Sequence, residues 1–198
     1  MTWLNVAAFI PCTESEGPGR RAALWVQGCA KRCPGCCNPG YLAIVKRELV
    51  PAIDVLASIA DANRRFGLEG VTFLGGEPML QAQGLAVVAA GCRELGLSVM
   101  TFTGYTVAEL DSLQLPGANA LLTATDVLVD GPYLADQPDK VRNWVGSLNQ
   151  RFHYLTDRYE SSIETDSRWT RSFEVQVGMD GVVRLNGWPT RIHGSAHA

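Results

Sequence analysis

Gly28-Cys-Ala-Lys-Arg-Cys-Pro-Gly-Cys-Cys-Asn-Pro-Gly40 follows the short, mostly apolar run Ala22-Ala-Leu-Trp-Val-Gln27. A run of that length and character reads as a buried strand, and the Gly- and Pro-rich stretch behind it as a loop. Cys29, Cys33 and Cys36 then stand in a C-x3-C-x2-C pattern at the carboxyl end of a strand, where α/β sheets place their ligand sites. Four of the six cysteines fall between Cys29 and Cys37. Neighbouring cysteines close only small, strained disulfide loops, so the crowding points to a metal. Three soft thiolates suit three irons of a 4Fe-4S cluster and leave the fourth iron without a protein thiolate. Zinc is the alternative, with Cys37 as a fourth ligand, although adjacent residues rarely both point at one ion.

Strands and helices alternate on both sides of this loop. Residues 1–12 read as a first strand, and Pro51 opens a helix with Val55, Leu56, Ile59 and Phe66 near one face and Gly67 as its cap. Val71-Thr-Phe-Leu74 is a strand that runs straight into Gly75-Gly-Glu-Pro78, followed by a helix over residues 80–95 with Gly96 closing it. Ser98–Thr103 is the next strand, Thr106-Val-Ala-Glu109 has the capping-box pattern of a short helix, and Asp126–Asp130 is a further strand. Nearly continuous apolar strands between helices indicate βαβ units and a parallel sheet, so the fold class is α/β. An eightfold barrel takes ~250 residues, so 198 suit a partial (βα) barrel or open sheet of four to six units. Phe173–Val177 and Val182–Leu185 predict a C-terminal β-hairpin with Asp180-Gly181 in its turn.

Composition narrows the function classes. A net charge of −3 gives no reason to expect nucleic acid or a membrane surface as partner. Apolar runs such as residues 85–90 fall far short of the ~18 residues of a membrane span. No Lys or Arg precedes the first apolar stretch, so a signal peptide is not indicated and a cytoplasmic location is expected. The length suits one domain over residues 1–198.

The cysteine pattern, with Gly75-Gly-Glu-Pro78 behind the next strand, resembles the radical S-adenosylmethionine (SAM) enzymes. Within that superfamily the chain is most similar to the glycyl-radical activating enzymes, above all the activators of anaerobic ribonucleotide reductase, with the pyruvate formate-lyase activases as cousins. The similarity is carried by Glu16-Gly-Pro-Gly19 with Arg20 or Arg21, Gln27-Gly-Cys29, Cys33-Pro-Gly-Cys36, Asn38-Pro39, Thr103-Gly-Tyr105, Asp130-Gly-Pro-Tyr133 and Gly146-Ser-Leu-Asn-Gln-Arg151. These define a core of about residues 16–151 and an extension over residues 152–198. Three positions depart from the pattern: Cys37 replaces an aromatic residue, and Val145 and Leu148 replace an Arg and a Ser.

The resemblance implies a 4Fe-4S cluster on Cys29, Cys33 and Cys36, with SAM bound to the remaining iron. One electron from a donor such as flavodoxin or ferredoxin would cleave SAM to methionine and a 5′-deoxyadenosyl radical, which would take hydrogen from a glycine Cα of a partner enzyme. Gly35 and Cys37 are expected against the nucleotide, and Gly75 and Gly76 are expected to expose backbone to the methionine moiety, with Glu77 assisting the amine or capping the next helix. Thr101, Thr103 and Asp130, near strand ends, are candidates for ribose or amino-acid contacts, as are Asn149 and Arg151 for SAM or the partner's glycyl loop. Lys31 and Arg32 bring positive charge beside an anionic cluster, to tune it, to meet an acidic donor, or simply as solvated loop charges. Cys12 and Cys92 read as structural thiols, and His153, His193 and His197 form no metal spacing. Trp144, Phe152, Tyr154 and Tyr159 suit either a partner surface or packing under the sheet. Two other functions remain open on the residues: a radical SAM enzyme acting on a small molecule or peptide, and a non-catalytic zinc module.

Overall fold

The buried run Arg21–Val26 (β2) sits at the centre of a seven-stranded sheet in a computed structural model that describes residues 2–170, 173–177 and 183–187. β2 pairs in parallel with β4 (Gly70–Gly75), which follows β1 (Trp3–Thr13) and β3 (Glu48–Pro51) in the chain. β5 (Ser98–Phe102) and β6 (Val127–Asp130) continue the parallel block, and β7 (Arg151–Tyr154) closes the order β3-β1-β2-β4-β5-β6-β7. Between the parallel strands run α1 (Ala52–Phe66), α2 (Ala82–Glu94), α3 (Val107–Leu113) and α4 (Ala118–Thr123).

The sheet is α/β and parallel at its centre, but it is not wholly parallel as the alternation predicts. β1 pairs antiparallel with both β2 and β3, and β7 pairs antiparallel with β6. The reason is connection length: only residues 14–20 join β1 to β2, too few for the helical crossover that a parallel pair needs. Three helix-bearing crossovers link the four parallel strands, and the sheet is open, with β3 and β7 as its edges. Both edge strands, and α4, escape the sequence pattern because four to six residues carry too little periodicity to register.

Helix ends follow their chemistry. α1 starts after Pro51 and ends on Gly67 at φ 60°, and α3 carries the full capping box of Thr106 and Glu109. The helices cover one sheet face, where Leu24, Ile59, Phe73, Leu85, Cys92 and Leu128 form the main core. On the other face Met100, Val127 and Val129 pack against Trp144, Phe152, Tyr154, Tyr159, Ile163 and Trp169. The aromatic group of the C-terminal third therefore lies under the sheet rather than on a free surface.

At the amino end of the parallel strands Arg21 is fully buried. Its guanidinium donates to Thr72 Oγ1 (2.8 Å), Val71 O (2.7 Å), Pro18 O (3.0 Å) and Ser98 Oγ (2.9 Å), stitching together β2, β4 and β5. Burial pulls its pKa down from the usual arginine value. At the far end of the chain β8 (Phe173–Val177) pairs antiparallel with β9 (Val183–Gly187), while the expected turn Asp180-Gly181, His193 and His197 lie outside the described residues. This strand pair is tied to the segment after β1: Gly187 N donates to Glu16 Oε1 (2.6 Å), and Glu14 N to Glu174 Oε1 (2.7 Å).

Two consequences are measurable. Arg21→Met leaves buried carbonyl and hydroxyl acceptors without donors and is expected to cost about 3 kcal/mol, read as a lower urea midpoint at unchanged m-value. Burial pushes the Glu16 carboxyl up to about 7. A carboxyl raised in the folded state favours its protonated form, so its contribution is complete below the unfolded pKa and is lost as pH rises through about 7. Hydrogen exchange at Gly187 N, corrected for its intrinsic pH dependence, is expected to accelerate between about pH 5 and about pH 8, and Glu16→Gln should remove that dependence.

Candidate iron-sulfur centre

The cysteine loop leaves β2 at Gly28, and its two ends are held by backbone bonds: Gly28 N donates to Tyr41 O (2.8 Å) and Cys29 N to Leu42 O (3.1 Å). Within it a tight turn lets Cys36 N donate to Cys33 O (3.1 Å). Cys29 is buried, Cys33 and Cys36 are half-buried, and Cys37 is exposed. Burial raises the Cys29 thiol pKa, while the backbone N–H groups of Arg32 and Lys31 act on its sulfur in the opposite direction. Cys36 is pulled down to about 6, chiefly by a hydrogen bond from the Cys37 thiol, and the Asn38 N–H at 3.4 Å adds to it. Cys37 is driven the other way, because the same bond keeps its proton in place.

Among the described residues no three Cys, His, Asp or Glu side chains close tightly enough on one point to hold a single metal ion. A 4Fe-4S cluster asks for something different, since each thiolate takes a different iron. The donor set fits it: three thiols on one short loop at the carboxyl end of β2, one of them buried and one already inclined to the thiolate.

Gly75-Gly-Glu-Pro78 forms the floor beside this loop, in a way the sequence does not reveal. A Cβ on Gly76 would lie 2.4 Å from Gly28 O, and one on Gly75, at φ +117°, 2.4 Å from Val26 N. The glycine pair therefore lets the end of β4 press against the root of the cysteine loop, with Gly76 N donating to Val26 O (2.7 Å) and Glu77 N to Gly28 O (2.8 Å). The Gly76 carbonyl accepts no hydrogen bond from any described residue and so is open to an external donor.

Glu77 is almost wholly buried, and burial raises its pKa despite three donors. Its Oε1 accepts from Met79 N (2.9 Å) and Thr103 Oγ1 (2.7 Å), and its Oε2 accepts from Gly104 N (2.8 Å). It thus caps the short 3-10 turn Pro78–Gln81 and ties the loop after β4 to the loop after β5. Thr103 joins the site through this carboxylate. Gly35, at φ +77° on the cysteine loop, faces the Tyr133 ring, whose Cε1 lies 3.4 Å from where its Cβ would be.

Two expected contacts do not join this cluster of residues. Thr101 is fully buried, and its Oγ1 is engaged by Thr125 Oγ1 (3.0 Å), which in turn donates to Leu121 O (2.9 Å) beneath α4. Asp130 Oδ2 accepts from Val107 N (2.8 Å) at the start of α3, and its Oδ1 lies 3.2 Å from His153 Nε2, which makes no hydrogen bond among the described residues. Both sit near strand ends, as the sequence indicates, but strand alternation turns their side chains toward the helical layer. Asn149 donates from Nδ2 to Pro132 O (2.7 Å), and its buried Oδ1 has no described partner. Lys31, for which the sequence leaves open a cluster-tuning, donor-docking or solvated charge, is paired with Glu109 (2.6 Å), whose only sequence signal is its place in the capping box.

Residues 15–153 match the family model described as a 4Fe-4S single cluster domain. The chain belongs to that family. It is 34% identical over 160 residues to an anaerobic ribonucleoside-triphosphate reductase-activating protein of Vibrio cholerae, covering 77% of this chain and 99% of that one. Proteins of the same name in Escherichia coli and in enterobacteria phage T4 are 29% and 28% identical, covering 77% and 78% of this chain and 99% and 96% of their own. Among solved structures, QueE from Escherichia coli aligns over 52% of this chain and 54% of its own at 16% identity and a TM-score of 0.44, too slight a likeness to bear on the site. No helix among the described residues is long and apolar enough to cross a membrane.

The glycine pair gives this family member a specific sensitivity. Gly76→Val places a side chain against the Gly28 backbone, so it is expected to disturb the cysteine loop itself. Iron and sulfide content after anaerobic reconstitution should fall well below that of the parent protein. A variant that retains full iron content would show that the loop root tolerates the intrusion.

Proposed function

We propose that this chain is a radical SAM activating enzyme that generates a glycyl radical on an anaerobic ribonucleoside-triphosphate reductase. The observation that carries the reading is the meeting, at the carboxyl end of the parallel strands, of the three-cysteine loop with the Gly75-Gly76-Glu77 turn and Thr103. The family match over residues 15–153 and the name shared by relatives whose own lengths are almost fully covered support it.

Cys29, Cys33 and Cys36 would hold a 4Fe-4S cluster, which would supply the electron for splitting SAM into methionine and a 5′-deoxyadenosyl radical able to take a hydrogen atom from a glycine Cα of the partner. The protein's own part is binding, orientation and exclusion of water. Gly76, with its carbonyl free of internal donors, accepts the methionine ammonium. Glu77 does not touch the ligand in this reading but fixes the turn that presents that carbonyl, through Thr103 and Gly104. Gly35 and Cys37 border the nucleotide, and the Tyr133 ring closes the loop tip against water. Thr101 and Asp130 act as internal anchors of the same strand ends. The electron comes from an outside one-electron protein donor of the flavodoxin or ferredoxin class, and the whole chain works as one domain.

The test is SAM cleavage by anaerobically reconstituted, dithionite-reduced protein, following 5′-deoxyadenosine by chromatography. Product is expected from the parent chain and none above background from Cys29→Ala or Cys33→Ala. Mixed with the reductase, the parent should also produce a glycyl-radical signal by electron paramagnetic resonance. Binding of zinc alone, with no brown chromophore after reconstitution with iron and sulfide, would overturn the proposal.

A further inference from the structure

Lys31 lies inside the cysteine loop, between Cys29 and Cys33, yet its side chain belongs to another part of the fold. Its ammonium is 2.6 Å and 2.8 Å from the two carboxylate oxygens of Glu109 on α3 and stands 4.5 Å from the centroid of the Tyr105 ring. Its stem passes over Gly104, where a Cβ would come within 3.3 Å of Lys31 Cγ. Only 19% of the Lys31 side chain is exposed. Glu109 is in turn fixed by the capping box, its Oε2 accepting from Thr106 N at 2.8 Å. An ammonium placed between a bidentate carboxylate and an aromatic face is a stronger fixture than a solvated surface pair.

The backbone beneath this fixture is unusual. Arg32, the next residue, holds φ +49°, a left-handed conformation that a side chain with a Cβ adopts only when its surroundings impose it. That turn follows directly on Cys29, so its shape sets where the backbone around the Cys29 sulfur lies. Amide hydrogens aimed at cluster thiolates are among the groups that set a cluster's reduction potential.

We propose that Lys31 is a positioning residue: clamped by Glu109 and Tyr105, it holds the first turn of the cysteine loop and with it the backbone around the Cys29 sulfur. Its charge is spent within the fold, leaving exposed Arg32 as the cation beside the cysteines that has no ion pair among the described residues. The consequence for chemistry, resting on the radical SAM reading, is that the clamp keeps the cluster easier to reduce than the bare loop would. Lys31→Met deletes the clamp while keeping the stem over Gly104, Glu109→Gln weakens it from the other side, and Lys31→Arg preserves it.

Two measurements on the full chain test this. In metal-free protein, the rate at which iodoacetamide labels Cys29, mapped by mass spectrometry, is expected to rise about tenfold or more in Lys31→Met, because a released turn opens more often. Glu109→Gln should show a smaller rise, and Lys31→Arg should label at the parent rate. In reconstituted protein the cluster midpoint potential, titrated by electron paramagnetic resonance, is expected to fall in Lys31→Met by about a factor of ten in the reduction equilibrium, 59 mV for one electron. Unchanged labelling in Lys31→Met overturns the clamp, and an unchanged midpoint overturns its hold on the cluster. If the parent chain fails to cleave SAM while the labelling difference persists, the radical SAM reading falls and the clamp stands.

Discussion

A carboxylate in a site as closed as that of Glu77 must be surrounded by donors, because an ionised or even a polar group left unpaired in the interior costs several kcal/mol. The donors it finds are Met79 N on its own turn, and Thr103 Oγ1 and Gly104 N on the loop after β5. Satisfying this one group therefore forces two crossover loops to meet. The cysteine loop is drawn into the same junction from the other side, since Gly76 is pressed on Gly28 and Lys31 runs across Gly104 to Glu109. A Cβ on Gly104 would lie 3.3 Å from Lys31 Cγ and 3.4 Å from Glu77 Oε2, so Lys31 and Glu77 both pack on this residue. Three segments that are far apart in sequence thus share one set of contacts.

The two ends of the parallel strands are specialised by different buried groups. At the amino end the Arg21 guanidinium spends its donors on backbone carbonyls and hydroxyls of β4 and β5, holding the sheet together where no ligand is expected. At the carboxyl end the polar groups are arranged around loops, and one of them, the Gly76 carbonyl, accepts no hydrogen bond from a described residue. A site can vary its loops at one end because the other end carries the register, the division of labour usual in α/β sheets.

The glycine pair has a packing reason beside the one its sequence suggests. Its sequence suggests space for a ligand to approach the backbone. In the structure the missing Cβ atoms are filled by the backbone of Val26 and Gly28, and any ligand contact is left to the carbonyl side. At Thr101 and Asp130 the tertiary structure adds what a strand-end position leaves out: a strand presents alternate residues to opposite faces, and these two face Thr125 and Val107. Which face is which depends on where the helices land.

The sequence by itself determined the α/β class, the strands β2, β4, β5 and β6, the capping of α1 and α3, and the loop that carries the C-x3-C-x2-C pattern. These depend on short-range facts: apolar runs, glycine and proline positions, and spacing along one loop. Only the tertiary structure decided that β1, β3 and β7 run antiparallel, that Trp144 and Tyr159 are covered, that Lys31 is clamped rather than free, and that Glu77 positions a turn. Apart from the β1–β2 pairing, which the short connection over residues 14–20 imposes, each of these depends on partners tens of residues away. A side chain's hydrogen-bond and packing partners are set by how the crossovers fold back on the sheet, and no local pattern in the chain encodes that.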